Sequence, residues 1–279
     1  MQKPDLVYTR KGSGPTLLLL HGIGHRRQIW DPIIDDLATR YDVIAPDLSG
    51  FGESPAFAGG LSYSMENAVD HLTGQLERWG VTKPHVVGNS LGGAIALELG
   101  ARGAVSSVTA LSPAGFFGPV SRFQALVALF FLRFLALVSP KPVLRALSRT
   151  TWGRKASGML LYSHPERQDP EAAYGDALSL KHATAFERVA KQALHYRFAS
   201  QVPVTTTIAW AREDKILPFS QSRVAQQRVP SAFHVPLPGC GHVPIIDDPE
   251  LVTRVIDQTV ARATPALKRD RPSAGRHVA

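Results

Sequence analysis

The sequence predicts an α/β protein, a mostly parallel sheet flanked by helices with one inserted helical cap. Three observations carry that expectation. Short apolar runs alternate with helical stretches from Thr16 to Leu111, the alternation stops after Ser112-Pro113, and it resumes at Val204. Parallel strands need crossover connections. Helices in those crossovers cover both sheet faces, so the strands read as continuous apolar runs.

Each element follows from its own pattern. Thr16-Leu17-Leu18-Leu19-Leu20 is an unbroken apolar run ending in His21-Gly22, as a buried parallel strand requires. Between Ile29 and Arg40, Ile33, Ile34 and Leu37 recur at helical spacing, and Asp42–Pro46 reads as the next strand. Val69, Leu72, Leu76 and Trp79 give Met65–Trp79 the period of an amphipathic helix, which Gly80 closes. His85-Val86-Val87 is a short strand, Leu91–Ala101 an Ala- and Leu-rich helix, and Val105–Leu111 a further strand. From Phe116 to Ser200 the chain reads as helices broken by Pro140, Pro142, Gly153, Pro165 and Pro170. Strands return at Val204–Trp210 and Phe233–Leu237, and Pro249–Ala263 is a closing helix. Residues 1–115 and 201–264 are thus expected to form one core and 116–200 the cap. Residues 265–279, with Lys268, Arg269, Arg271 and Arg276, are expected to form a disordered basic tail.

Composition narrows the function classes. With 44% hydrophobic and 19% charged residues, the 279-residue chain reads as an ordinary globular protein. The single cysteine, Cys240, excludes an internal disulfide framework. The first residues lack the apolar stretch of a secretory signal. The apolar run from Ala125 to Val138, broken by Arg133, falls short of the roughly 20 residues that span a bilayer. A soluble cytoplasmic protein is expected. The net charge of +8 raises nucleic acid as a partner, but no zinc-finger spacing, RNP-like aromatic motif or basic phosphate-facing helix is present. The charge is uneven. Leu99 to Pro165 contains no Asp or Glu but carries Arg102, Arg122, Arg133, Lys141, Arg145, Arg149, Arg154 and Lys155. As a default this is a solvated basic surface.

Gly88-Asn89-Ser90-Leu91-Gly92 fits G-x-S-x-G between a strand and a helix, the frame in which the pattern carries chemistry. The serine then sits on a sharp turn, with small residues two positions away on either side to relieve crowding. A serine hydroxyl needs an adjacent base. Of ten histidines, His242 follows the last strand in a Gly/Pro-rich loop, at the carboxyl edge where ligands bind. The base needs a carboxylate to fix its tautomer. Asp214 follows the Val204–Trp210 strand, with Glu213 as the local rival; the other plausible loop, Ser112–Gly115, has no carboxylate. Backbone N–H groups complete the set by holding the developing oxyanion, each worth roughly 3–4 kcal/mol. Leu91 follows the nucleophile, and Ile23 lies in the loop after the Leu17–Leu20 strand.

These residues resemble the α/β-hydrolase family, in its serine hydrolase and esterase-like branch. The resemblance rests on His21-Gly22-Ile23-Gly24, Asp47-Leu48-Ser49-Gly50-Phe51-Gly52-Glu53-Ser54, Gly88–Gly93, Asp214 and Gly241-His242, in family order over about residues 16–260. It implies an eight-stranded, mostly parallel sheet, a helical cap after the sixth strand, no metal or organic cofactor, and a structural role for Asp47. Relatives that open epoxides or remove halide place aspartate at the nucleophile, where this chain has Ser90. Relatives that cleave C–C bonds share the Gly-Asn-Ser start but commonly carry tryptophan after the histidine, where this chain has Val243. A serine esterase acting through an acyl-enzyme on a small, apolar ester or acyl substrate is the leading expectation. C–C hydrolysis and low-turnover ligand binding are the alternatives.

The segment Phe123–Val138 is apolar nearly all round, and two readings of it stand. It is a cap helix buried against the main domain, or a hydrophobic lid lining an acyl pocket and touching a lipid interface as a peripheral contact. Phe130, Phe134 and Val243 are the candidate substrate-binding residues.

Overall fold

The computed structural model describes residues 3–264, apart from Leu194 and the Pro119 side chain; the expected basic tail lies outside the described residues. Among the described residues seven strands form one sheet: β1 (Tyr8–Lys11), β2 (Thr16–Leu20), β3 (Asp42–Pro46), β4 (His85–Asn89), β5 (Ser107–Leu111), β6 (Thr205–Ala211) and β7 (Phe233–Leu237). Their order is β1-β3-β2-β4-β5-β6-β7, and only the β1–β3 pair is antiparallel. Seven strands are described where the resemblance implied eight, and the described chain before β1 is held by side chains instead. The Pro4 carbonyl accepts from His71 Nε2 and Gln75 Nε2 on α2 (Met65–Arg78), and Val7 N–H goes to Ser54 Oγ.

Alternation along each strand splits the core in two. Leu18, Leu20, Val86, Val108 and Ile208 face one hydrophobic layer; Leu17, Leu19, Val87, Leu111 and Ala209 face the other. Helices α1 (Asp31–Ala38) and α11 (Pro249–Ala263), the latter after the short α10 (Pro244–Asp247), cover the second layer, while α2 and α3 (Leu91–Ala101) cover the first. All four leucines of β2 are fully buried, each worth roughly 2 kcal/mol of apolar burial. Two described elements have no strong sequence pattern. β1, Tyr-Thr-Arg-Lys, is an edge strand, and α9 (Gln221–Arg228) is mostly polar.

Among the described residues five α-helices fill the insertion between β5 and β6: α4 (Pro119–Val138), α5 (Lys141–Arg149), α6 (Thr151–Gly158), α7 (Pro170–His182) and α8 (Phe186–Ala193). Two polar clusters order this cap, the first within it and the second tying it to the core. Arg133 of α4 is buried; it donates to the Leu180 carbonyl, to the Ala183 carbonyl (3.1 Å) and to Glu187 (3.0 Å), and it lies over the Phe186 ring. The second cluster reaches the loop after β2. Arg26 pairs with Asp176 at 3.0 Å, Gln168 donates to Asp176 at 2.7 Å, and Tyr162 meets His25 Nε2 at 3.5 Å.

Burial pushes Asp176 up from 3.8 to about 6, against the opposing pull of Arg26. Burial also pushes His25 down from 6.5 to about 3. Between 3.8 and 6 the folded state holds a proton on Asp176 that the unfolded chain has released, so this group lowers stability as pH rises through that window. His25 acts in the opposite sense. Between 3 and 6.5 the unfolded chain binds a proton that the folded state refuses, so stability rises with pH.

Two outcomes are expected. Arg133→Ala strands two carbonyls and costs about 2–4 kcal/mol in urea unfolding with an unchanged m-value; a loss below about 0.5 kcal/mol would show that this anchor does not hold the cap. In Asp176→Asn the unfolding free energy climbs more steeply between pH 3.8 and 6 than in wild type, because the opposing slope is gone. An identical slope would mean that Asp176 does not titrate in that window.

Candidate active site

Ser90 caps α3 at φ 56° and ψ −112°, a conformation that costs a non-glycine residue of order 1–3 kcal/mol. Its neighbours hold it there. Ser90 N–H donates to the Leu111 carbonyl at 3.0 Å, and the Ser90 carbonyl accepts from Ala94 and Ala114, each at 3.0 Å. The flanking glycines are steric requirements. A Cβ on Gly88 would lie 2.1 Å from the Gly92 carbonyl oxygen, and one on Gly92 would lie 2.1 Å from that of Leu20. Only glycine lets β2, the turn and α3 meet this closely.

The loops after β6 and β7 bring an acid and a base to the same edge. Asp214 is buried while its rival Glu213 is exposed. One Asp214 oxygen accepts from Ile216 N–H (2.9 Å) and Leu217 N–H (2.7 Å); the other meets His242 Nδ1 at 2.8 Å. With the carboxylate fixed, His242 keeps its proton on Nδ1 and presents Nε2 as the free basic nitrogen. Asn89, beside the serine, donates to the His242 carbonyl at 2.9 Å and to the Leu111 carbonyl at 3.2 Å, joining the β4, β5 and β7 ends. Asp247, fully buried, accepts from Gly241 N–H (2.7 Å), Ser163 N–H (3.0 Å) and His164 N–H (2.7 Å). The histidine loop is thereby fixed to the cap.

The loop after β2 lies against the serine, since a Cβ on Gly22 would stand 3.3 Å from Ser90 Cβ. His21 is buried and held neutral by desolvation. Leu48 N–H donates to its Nε2 at 2.9 Å, so the proton is on Nδ1, which donates to the Gly22 carbonyl at 2.7 Å. His25 N–H reaches the same carbonyl at 3.2 Å. A peptide plane sets its carbonyl and its N–H on opposite sides. Turning the Gly22 carbonyl toward two donors therefore turns the Ile23 N–H the other way. Ile23, Ser90 and Leu91 line one cavity of about 50 Å³.

That small cavity lies between two larger ones. The first, of about 260 Å³, shares Leu91, Ala114, Val189 and Ala193 with it and extends between Phe57, Tyr63 and Leu72. The second, of about 390 Å³, shares Ile23 and Leu129 and runs under the cap past Leu132, Leu144 and Trp152 to Tyr162. Both are mainly apolar, and neither presents a cluster of metal ligands among the described residues. Phe130 and Phe134 turn outward instead; Phe130 rests edge-on against Phe186, and Leu129 and Leu132 face the cavities in their place. Val243 is fully buried in the second core layer, its N–H bonded to the Leu161 carbonyl, and does not line these cavities. Asp47 itself is held within its loop by polar contacts. Asp47 is buried, accepts from Arg27 and from Glu53 N–H, and sits against Gly52, where no side chain fits. Sequence reasoning passed over Asn89, His25 and Asp247, whose partners are distant in the chain. The only available hint was Asn89 and His25 standing within the motifs themselves.

Comparison with known proteins agrees with this architecture. The alpha/beta hydrolase fold family matches the chain over residues 15–249. Epoxide hydrolase EphH of Mycobacterium tuberculosis is 28% identical over 73% of this chain and 99% of its own length. Among solved structures, a bacterial membrane phospholipase A superposes with a TM-score of 0.74 at 23% identity, covering 95% of this chain and 86% of that one. A meta-cleavage product hydrolase of Pseudomonas fluorescens gives 0.73 at 22% identity, covering 93% and 95%. With a family match over most of its length and this strand order, the chain is a hydrolase belonging to the alpha/beta hydrolase fold family.

Proposed function

We propose that this chain is a serine hydrolase that cleaves apolar carboxylic esters through an acyl-enzyme. The observation that carries the reading is the buried His242–Asp214 contact of 2.8 Å at the same sheet edge as the strained Ser90 turn. In this reaction Ser90 Oγ attacks the ester carbonyl while His242 Nε2 takes its proton. The N–H groups of Ile23 and Leu91 receive the oxyanion. Collapse of the tetrahedral intermediate expels the alcohol, which takes the proton from His242. Water, deprotonated by the same nitrogen, then attacks the acyl-serine, and a second collapse releases the acid and restores Ser90. Asp214 holds the imidazole in register and stabilises its charged form. It remains ionised throughout.

The two apolar cavities that share walls with the small Ser90 cavity support an apolar substrate, with room for an acyl portion in one and an alcohol portion in the other. Partition of a charged or strongly polar group into either is opposed by desolvation.

A fluorophosphonate probe is expected to label wild type and not Ser90→Ala. Hydrolysis of p-nitrophenyl esters should show a chain-length optimum above acetyl, and Ser90→Ala should lose on the order of 10⁴-fold or more in kcat. Equal labelling of both proteins, or no turnover of any ester by a labelled wild type, would sink the reading.

A further inference from the structure

Helix α4 carries two apolar stripes, and only one is covered. Ala125, Leu129, Leu132 and Ala136 turn inward, whereas Val120, Phe123, Val127, Phe131, Phe134 and Val138 recur at three- and four-residue spacing on the outer face. Over Val120–Val138 the helix has a mean hydropathy of 1.7 with only 17% of the most apolar stretch buried. The 19-residue length exceeds the Ala125–Val138 run read from sequence, because Ser121, Arg122 and Gln124 do not end the helix. Neighbouring helices extend the patch. Val143 on α5, Trp152 on α6 and Met159 just beyond it are exposed, Trp152 by 74% and Phe123 by 70%. Apolar surface on this scale marks an interaction site.

The patch has a charge of one sign. Helices α4 to α6 carry Arg122, Arg133, Lys141, Arg145, Arg149, Arg154 and Lys155, and no acid. Arg133 is used up inside the fold, and Glu171 of α7 pairs with Arg145 and Arg149. Lys141 and Lys155 remain exposed, with no ion pair to either ammonium among the described residues. A second copy of the chain would bring the same basic groups against themselves. An anionic lipid surface meets both the apolar stripe and the charge.

The helix lies along such a surface and does not cross it. Just ahead of it, Phe116 is fully buried, its ring against Phe198 and Trp210. At its other end Lys181 donates to the Ala136, Leu137 and Ser139 carbonyls at 2.6–3.0 Å, and Arg133 is fixed between them. Spanning a bilayer would require breaking all of these. Trp152 and Leu135 belong both to the exposed patch and to the 390 Å³ cavity, so the cavity reaches the surface within the patch.

We infer that the outer face of α4, with α5 and α6, is a peripheral docking surface for a bilayer rich in anionic lipid. The inference stands on the surface alone and holds whichever bond the enzyme cleaves.

Sedimentation with phosphatidylcholine–phosphatidylglycerol vesicles, against pure phosphatidylcholine vesicles, tests it on the full chain. Wild type should bind the mixed vesicles, and high salt or a Lys141→Glu/Lys155→Glu variant should weaken binding. Phe123→Ser/Phe131→Ser should reduce partitioning by about tenfold or more. Both variants alter exposed side chains, and an unchanged thermal melt would show that the fold is intact. Tryptophan emission should shift to the blue on binding, with Trp152→Phe losing that shift. Three results would overturn the inference: no binding to either vesicle, equal binding to both with no salt dependence, or a wild-type dimer in light scattering that the phenylalanine variant dissociates. The last would assign the face to a second copy of the chain.

Discussion

Everything at the carboxyl edge of the sheet depends on how closely three backbone segments approach at one point. Gly92 of α3 sits against the Leu20 carbonyl of β2, and Gly88 of β4 sits against Gly92, at separations that leave no room for a methyl group. This contact sets the helix against the strand at an angle that raises Ser90 out of the sheet. It also brings the loop after β2 alongside. The strain at Ser90 persists because hydrogen bonds from the β5 end and from α3 over-determine it. A larger residue at either glycine would move the strand, the helix and the neighbouring loop together.

A second level of order runs through buried polar side chains that never face the small cavity. His21 turns the Gly22 carbonyl, Asn89 fastens the histidine loop to the Ser90 turn, and Asp247 fastens that same loop to the cap. Each of these groups has its hydrogen bonds satisfied, as burial demands. The His25–Tyr162–Gln168–Asp176–Arg26 chain does the same between the cap and the loop after β2. Preorganisation of the edge is thus distributed over four loops and the cap.

Much of this was legible in the sequence where local pattern and tertiary role coincide. The bounds of β2, β3, α3 and α11 follow directly from apolar runs and caps, and Ser90, Asp214 and His242 from their places after strands. What was not legible has physical causes. β1 has no apolar alternation because it is a charged edge, and α9 has almost no apolar stripe. A helix apolar all round gives no periodicity to say which face turns inward, so spacing alone does not reveal that Leu129 and Leu132 face the cavity while Phe130 and Phe134 turn outward. Partners separated by more than a hundred residues, such as Arg26 with Asp176, leave no trace in spacing.

The two margins of the sheet end differently from its interior. β1 is four residues long with Arg10 and Lys11 on it, and the chain before it is taken up by α2 side chains; β7, at the opposite margin, contains Pro236, which has no N–H to offer. Short charged margins and proline are what discourage one sheet from recruiting strands from another molecule. For a chain that exposes so much apolar surface on its cap, this separates two hazards. Association through the helical face can be shielded by detergent or lipid, while strand recruitment is discouraged at both margins of the sheet.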